Sequence, residues 1–172
     1  MKHADQGHRD EVLRLGQALE AAGIGEFEWD AAGDSFMVSP RMAAMMGLRA
    51  GAMPAMGGEV LNRHVHPDDL ALVREAQGRH RVVGGGYQYE FRHLRPDNGA
   101  EVWVRVAGVL SLGPDGRPYR AVGIVEDVTE RKREESQRLT LMAELDHRVK
   151  NVLATVQALA VQTARRTTSL DV

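Results

Sequence analysis

Seven histidines and no cysteine define most of the reactive chemistry open to this chain of 172 residues. His147 stands in the run Glu144-Leu145-Asp146-His147-Arg148-Val149-Lys150-Asn151, where the apolar residues recur at helical spacing. Imidazole titrates near neutral pH, so a neutral, nucleophilic form is well populated there. On a helix, Glu144 and Asn151 are surface neighbours of His147 and could orient its ring or an incoming phosphoryl group. Arg148 and Lys150 place positive charge where such a group would gather negative charge.

The other histidines carry less. His64 and His66 flank Val65 in an H-x-H pattern, but no second ligand pair accompanies them, so we expect a capping or surface role and no metal site. His80 lies between Arg79 and Arg81, a setting that suits solvent better than haem ligation. The methionines between 37 and 56 could line an adaptable pocket, though core packing is their commoner use. Trp29 and Trp103 read as sheet residues. Without cysteine, disulfides, thiolate metal centres and a flavin–cysteinyl adduct are excluded.

A formal net charge of −2 gives no pointer to nucleic acid or an anionic membrane. The distribution is uneven, with 14 basic and 19 acidic side chains over 1–130 against 8 and 5 over 131–172. No apolar run is long enough to span a bilayer, and the polar start Met1-Lys2-His3-Ala4-Asp5-Gln6 is unlike a signal peptide, so a cytoplasmic location is expected.

These residues need elements to hold them. Val12, Leu15, Leu19 and Ala22 suggest an amphipathic helix over 8–22, ended by Gly23. Two strands follow, 24–30 and 35–39, then a short helix from Pro40 to Gly47. The stretch 49–60 reads as a loop with weak helical turns. His66-Pro67-Asp68-Asp69 opens a second helix, with proline where its missing N–H costs nothing and acids where the helix dipole favours them. It should run to Arg81 and stop at Gly84-Gly85-Gly86.

Tyr87, Tyr89 and Phe91 then alternate with polar residues, as do Val102, Val104 and Val106, and a third strand covers 119–125. Pro96-Asp97-Asn98-Gly99 and Pro114-Asp115-Gly116 are their turns. The expected fold is α+β, a five-stranded antiparallel sheet with helices on one face. From Asp127 onward the pattern is helical. Asp127-Val128-Thr129-Glu130 has the spacing of a helix-capping box. Met142, Leu145, Val149, Val152, Val156 and Leu159 form a heptad seam that places His147 at the opposite, f position.

The order of elements, the HPDD helix start and the exit Asp127-Val128-Thr129-Glu130-Arg131-Lys132 resemble a PAS domain over residues 23–131. The exit resembles the Asp-x-Thr junction through which PAS sensors pass a signal into a helix, which implies a relay role for Asp127 and Thr129. The run from Glu144 through Ala160 to Gln162-Thr163 resembles the phosphoacceptor box of HWE-type histidine kinases. That resemblance implies that His147 is the phosphorylated residue, supported by Glu144, Arg148, Lys150 and Asn151.

The implied organisation is an N-terminal helix (1–22), a PAS sensor (23–131), and a coiled-coil signalling helix with the first helix of a dimerisation and phosphoacceptor domain (132–172). Implied partners are a second copy in a homodimer through 132–165, a kinase catalytic domain that supplies ATP and Mg, and a response-regulator receiver domain. No tightly bound cofactor, nucleic acid or membrane is expected, and the fragment alone should lack kinase activity. The competing reading is a PAS–coiled-coil scaffold whose histidine is inert.

Overall fold

The computed structural model describes the backbone of residues 2–54 and 59–168, and side chains at residues 11, 13–53 and 59–158. In chain order the elements are α1 (Lys2–Ala21), β1 (Gly25–Asp30), β2 (Ser35–Val38), α2 (Pro40–Met46), β3 (Gly51–Pro54), α3 (Glu59–Asn62), a 3-10 turn (Pro67–Asp69), α4 (Leu70–Val83), β4 (Gly85–Leu94), β5 (Glu101–Leu112), β6 (Pro118–Asp127) and α5 (Thr129–Thr168). They form two compact units that divide between Thr129 and Glu130.

The first unit is the α+β fold expected, with one correction. Its antiparallel sheet has six strands, in the order β3-β2-β1-β6-β5-β4, where five were expected. The extra strand, β3, lies in the stretch read as a loop, and it pairs with β2 through Phe36↔Met53 and Val38↔Gly51. A four-residue segment of Gly, Ala, Met and Pro has no alternation to announce a strand. What makes it one is the open edge of β2, whose backbone groups need partners. Residues 59–62 of the same stretch are helical, and 55–58 lie outside the described residues.

Strand alternation decides which side is buried. Phe27, Val104, Val106, Phe91 and Val125 point to one face, where Met42 and Met46 of α2 and Val73 of α4 complete the core. The opposite face keeps Val109 and Val122 exposed. Helix α2 starts at Pro40 as expected, and Ser39, read as the end of a strand, caps it, its Oγ accepting from Met42 N. It ends where Gly47 adopts the left-handed conformation, φ 66°.

The helix expected from Pro67 to Arg81 begins with a 3-10 turn and continues to Val83. His66 caps that turn, its Nδ1 accepting from Asp68 N at 3.3 Å. Helix α1 is longer than the 8–22 expected, and the side chain of Val12 lies outside the described residues.

The second unit is the greater part of α5, a single helix of 40 residues from Thr129. Residues 169–172 and the side chains of Leu159, Gln162 and Thr163 lie outside the described residues. Among the described residues, no helix is long and apolar enough to cross a membrane.

Candidate functional site

In the first unit a cavity of about 100 Å³ lies between the sheet and helices α2 and α4. Its walls are mostly aromatic and aliphatic, including Trp29, Phe36, Met42, Met46 and Tyr89. Two glycines make room for the rings of Tyr87 and Phe27 in its wall. Gly108 and Gly123 face each other across β5 and β6. A Cβ on Gly108 would meet Tyr87 Oη at 2.7 Å, and one on Gly123 would meet Phe27 Cζ at 2.6 Å.

Five polar side chains reach this apolar space. Asn62 and Gln77 exchange two hydrogen bonds of 3.0 Å through their amides, and Gln77 also lies 3.5 Å from Tyr89 Oη. Burial pushes the Tyr87 and Tyr89 phenols above their ordinary range, so both stay neutral. Trp29 Nε1 is buried without a hydrogen-bond partner among the described residues. Such a donor is costly unless something accepts from it.

His80, read as a solvent-facing residue, is half-buried at the rim of the cavity, its ring 5.3 Å from that of Tyr87. Helix α4 turns toward β4 there, which a local count of arginines does not reveal. His64 and His66 face different partners. His64 packs edge-on to His93 at 5.8 Å, and His66 faces Asp68 and Glu101. Among the described residues no group of three His, Asp or Glu side chains could hold a metal ion.

Sequence reasoning missed His93. It is fully buried, and its Nε2 lies 2.9 Å from the Met46 carbonyl oxygen at the end of α2. Burial pushes its pKa down to about 4, so the ring is neutral and Nε2–H donates. Extending the alternation of Tyr87, Tyr89 and Phe91 by one step would have found it. Arg95 adds a second bond to the same helix end, from Nη1 to Met45 O at 3.1 Å.

At the exit of the sheet, Asp127 Oδ1 accepts from Thr129 N at 2.8 Å, which caps the start of α5. The reciprocal half of a capping box is absent, because the Glu130 carboxylate instead faces Arg133 at 3.6 Å. Thr129 Oγ1 accepts from Trp103 N at 2.9 Å, and Val128 N donates to Trp103 O at 2.8 Å. Asp127 and Thr129 thus meet at one junction.

In the second unit His147 is exposed, as are Glu144, Arg148, Lys150 and Asn151. Lys150 Nζ lies 2.6 Å from Asp146 Oδ2, one turn earlier, so its charge is shared with that carboxylate. The seam residues Met142, Leu145, Val149 and Val152 are between 55% and 62% exposed within the single chain.

Comparison with known proteins follows the same division. Residues 35–125, more than half of the chain, match the family model for the PAS fold. The chain belongs to the PAS fold family. Residues 144–172 match the model for HWE histidine kinases, and His147 lies within that match. A blue-light-activated histidine kinase of Brucella anthropi is 28% identical over 155 residues, which cover 90% of this chain and 30% of the relative. Its namesake in Brucella ovis is 34% identical over 108 residues, 63% of this chain and 21% of that protein. The chain therefore spans less than a third of the length of these relatives.

Among solved structures, a sensory box histidine kinase/response regulator from Burkholderia thailandensis E264 superposes with a TM-score of 0.67. It is 28% identical, and the match covers 78% of this chain and 98% of that one. The N-terminal domain of a diguanylate cyclase with PAS/PAC sensor from Marinobacter aquaeolei shares the fold at a TM-score of 0.52 and 18% identity, over 63% of this chain and 98% of that one. This PAS-fold chain is homologous to sensor histidine kinases.

Proposed function

We propose that the PAS unit senses a small molecule in its cavity and that α5 relays occupancy to His147, the phosphoacceptor of a histidine kinase. The observation that carries this is the position of His147. It is exposed on a long helix, opposite an apolar seam, inside the segment that matches HWE histidine kinases. A group that must meet an ATP-bearing domain and then a receiver domain needs such exposure.

In the first step an imidazole nitrogen attacks the γ-phosphorus of ATP, a P–N bond forms, and the bond to ADP breaks. In the second, a receiver carboxylate attacks the phosphorus and the P–N bond breaks. Arg148 is placed to balance charge on the phosphoryl oxygens, and Glu144 and Asn151 to orient the ring. The seam of α5 closes against a second copy in parallel, because a continuous apolar stripe at a and d positions is the signature of a coiled coil.

The relatives named above are called blue-light-activated. With no cysteine, this chain cannot form a cysteinyl adduct with a flavin, and we read its signal as a reversibly bound molecule. A visible absorbance band that survives extensive dialysis would overturn that part.

Phosphotransfer is tested with the chain, ATP and Mg, with and without the catalytic domain of the parent kinase in trans. The chain alone should remain unlabelled. The added domain should produce an acid-labile, base-stable label that His147→Ala removes. Label that persists in His147→Ala would sink the assignment, and no label at all would favour an inert scaffold.

A further inference from the structure

The ion pair between Asp69 and Arg92 lies outside the cavity and outside the phosphoacceptor segment. We infer that Arg92 is a positioning residue that ties the start of the cavity-lining helix α4 to the start of α5, with Trp103 as the intermediate. The inference rests on reading α5 as the output of the PAS unit.

On the α4 side the contact is a fork. Arg92 Nε donates to Asp69 Oδ2 at 2.9 Å and Nη2 donates to Oδ1 at 2.6 Å, while the Arg92 backbone N–H also reaches Oδ2 at 2.8 Å. Both side chains are largely withdrawn from water, at 23% and 17% exposure, so the pair is screened less than a surface bridge. Three bonds to one carboxylate fix Asp69, the last residue before α4, relative to β4. Two turns further along, the same helix presents Gln77 and His80 to the cavity.

On the α5 side the contact is a stack. Arg92 and Trp103 are cross-strand partners in β4 and β5, and the guanidinium carbon sits 5.6 Å from the centre of the Trp103 ring. The backbone of Trp103 is in turn bonded on both sides to the root of α5, through Val128 N–H and the Thr129 hydroxyl. Val128 is buried, so the root cannot shift without moving this pair of bonds.

Helix α4 joins the cavity wall to Asp69, and every later link is a direct contact between neighbours: Asp69, Arg92, Trp103, Thr129. A displacement of α4 by an occupant of the cavity would pull on the fork and tilt the Trp103 strand segment against the helix root. A planar, five-donor cation suits both contacts at once, and lysine would satisfy neither in the same way.

The test is residue-resolved amide hydrogen exchange on the chain, comparing wild type with Asp69→Asn and Arg92→Lys. Asp69 has no bond to Trp103, Val128 or Thr129 in this network, so a purely local staple would leave their amides unchanged. The expected result is a roughly three- to tenfold loss of protection at Trp103 and Val128 in both variants, with β1 and β2 amides within about twofold of wild type. In a Trp103→Leu background the Asp69→Asn effect on Val128 should vanish. Unchanged junction amides, an effect that persists without Trp103, or an equal loss across the whole sheet would each overturn the inference. Phosphoryl transfer does not enter this readout, so failure of the kinase reading and failure of the coupling are separable.

Discussion

The two units solve the problem of apolar surface in opposite ways. In the PAS unit Met42, Met46 and Val104 are completely buried, and even the imidazole of His93 is withdrawn from water and bonded. In α5 the apolar residues are as regular in sequence, yet Met142, Leu145 and Val152 stay more than half exposed. Helical stability in proteins comes mainly from packing an apolar face. One unit buries its apolar face within itself, whereas the other leaves its own uncovered within the single chain. In the function proposed above, the first behaviour suits a receptor and the second an output that closes on a second copy.

The largest effect should come from charging the seam. Leu145→Lys with Val152→Lys should weaken self-association by roughly a hundredfold or more, since each would bury an unpaired ammonium. Light scattering should then report monomers, while the thermal transition of the PAS unit stays in place. A wild-type chain that is monomeric at micromolar concentration would break the comparison itself.

The converse substitution is Met46→Ala. It should cost about 2–5 kcal/mol in urea unfolding of the PAS unit, because a fully buried side chain leaves a cavity behind. Association through α5 should be unchanged in the same protein. Loss of both together would mean that the units are energetically one.

Acidity should separate them again. The His93 pKa is depressed from 6.5 to about 4, so the stabilisation from keeping it neutral is complete above pH 6.5 and is lost as pH falls toward 4. One extra proton bound on unfolding corresponds to a slope of about 1.4 kcal/mol per pH unit in that window. His93→Gln should flatten it. Asp69 acts lower: the hydrogen bond from Arg92 holds its carboxyl below 3.8, so its contribution is full above 3.8 and fades beneath it. Urea midpoints between pH 7 and 3 measure both windows.

The smallest effect belongs to the junction. Asp127→Ala removes the bond to Thr129 N and should cost about 1 kcal/mol as a lost cap, with the fold intact. In the parent kinase the same change should alter the dependence of activity on signal. An unaltered response would leave the junction a cap and nothing more.

Much of this was legible in the sequence because local chemistry and tertiary role agree. Pro40 and Gly47 bracket α2 as written, and the alternation of Val102, Val104 and Val106 assigns the buried face of β5. The start of α5 was legible in the acid of a helix-capping motif, Asp127. What escaped depends on distant partners. Strand β3 exists because β2 has an edge to offer. His93 is buried because the end of α2 presents the Met46 carbonyl, 47 residues earlier in the chain. The pairing of Asp69 with Arg92 bridges 23 positions, and neither residue type announces it.

The order of the strands has a temporal consequence. The first strand, β1, lies between β2 and the last strand, β6, with Gly25 opposite Val125. A nascent chain can form the hairpin of β4 and β5 early, but β1 has only one neighbour until β6 emerges. Closure of so distant a pair is slow relative to local hairpins, because the intervening loop must be ordered first. The residues that complete the sheet, 118–127, are the last to leave the ribosome before α5 begins. A chain stopped before residue 118 should remain open at its centre and prone to aggregation. Synthesis thus delivers α5 only after the strand that finishes the sheet.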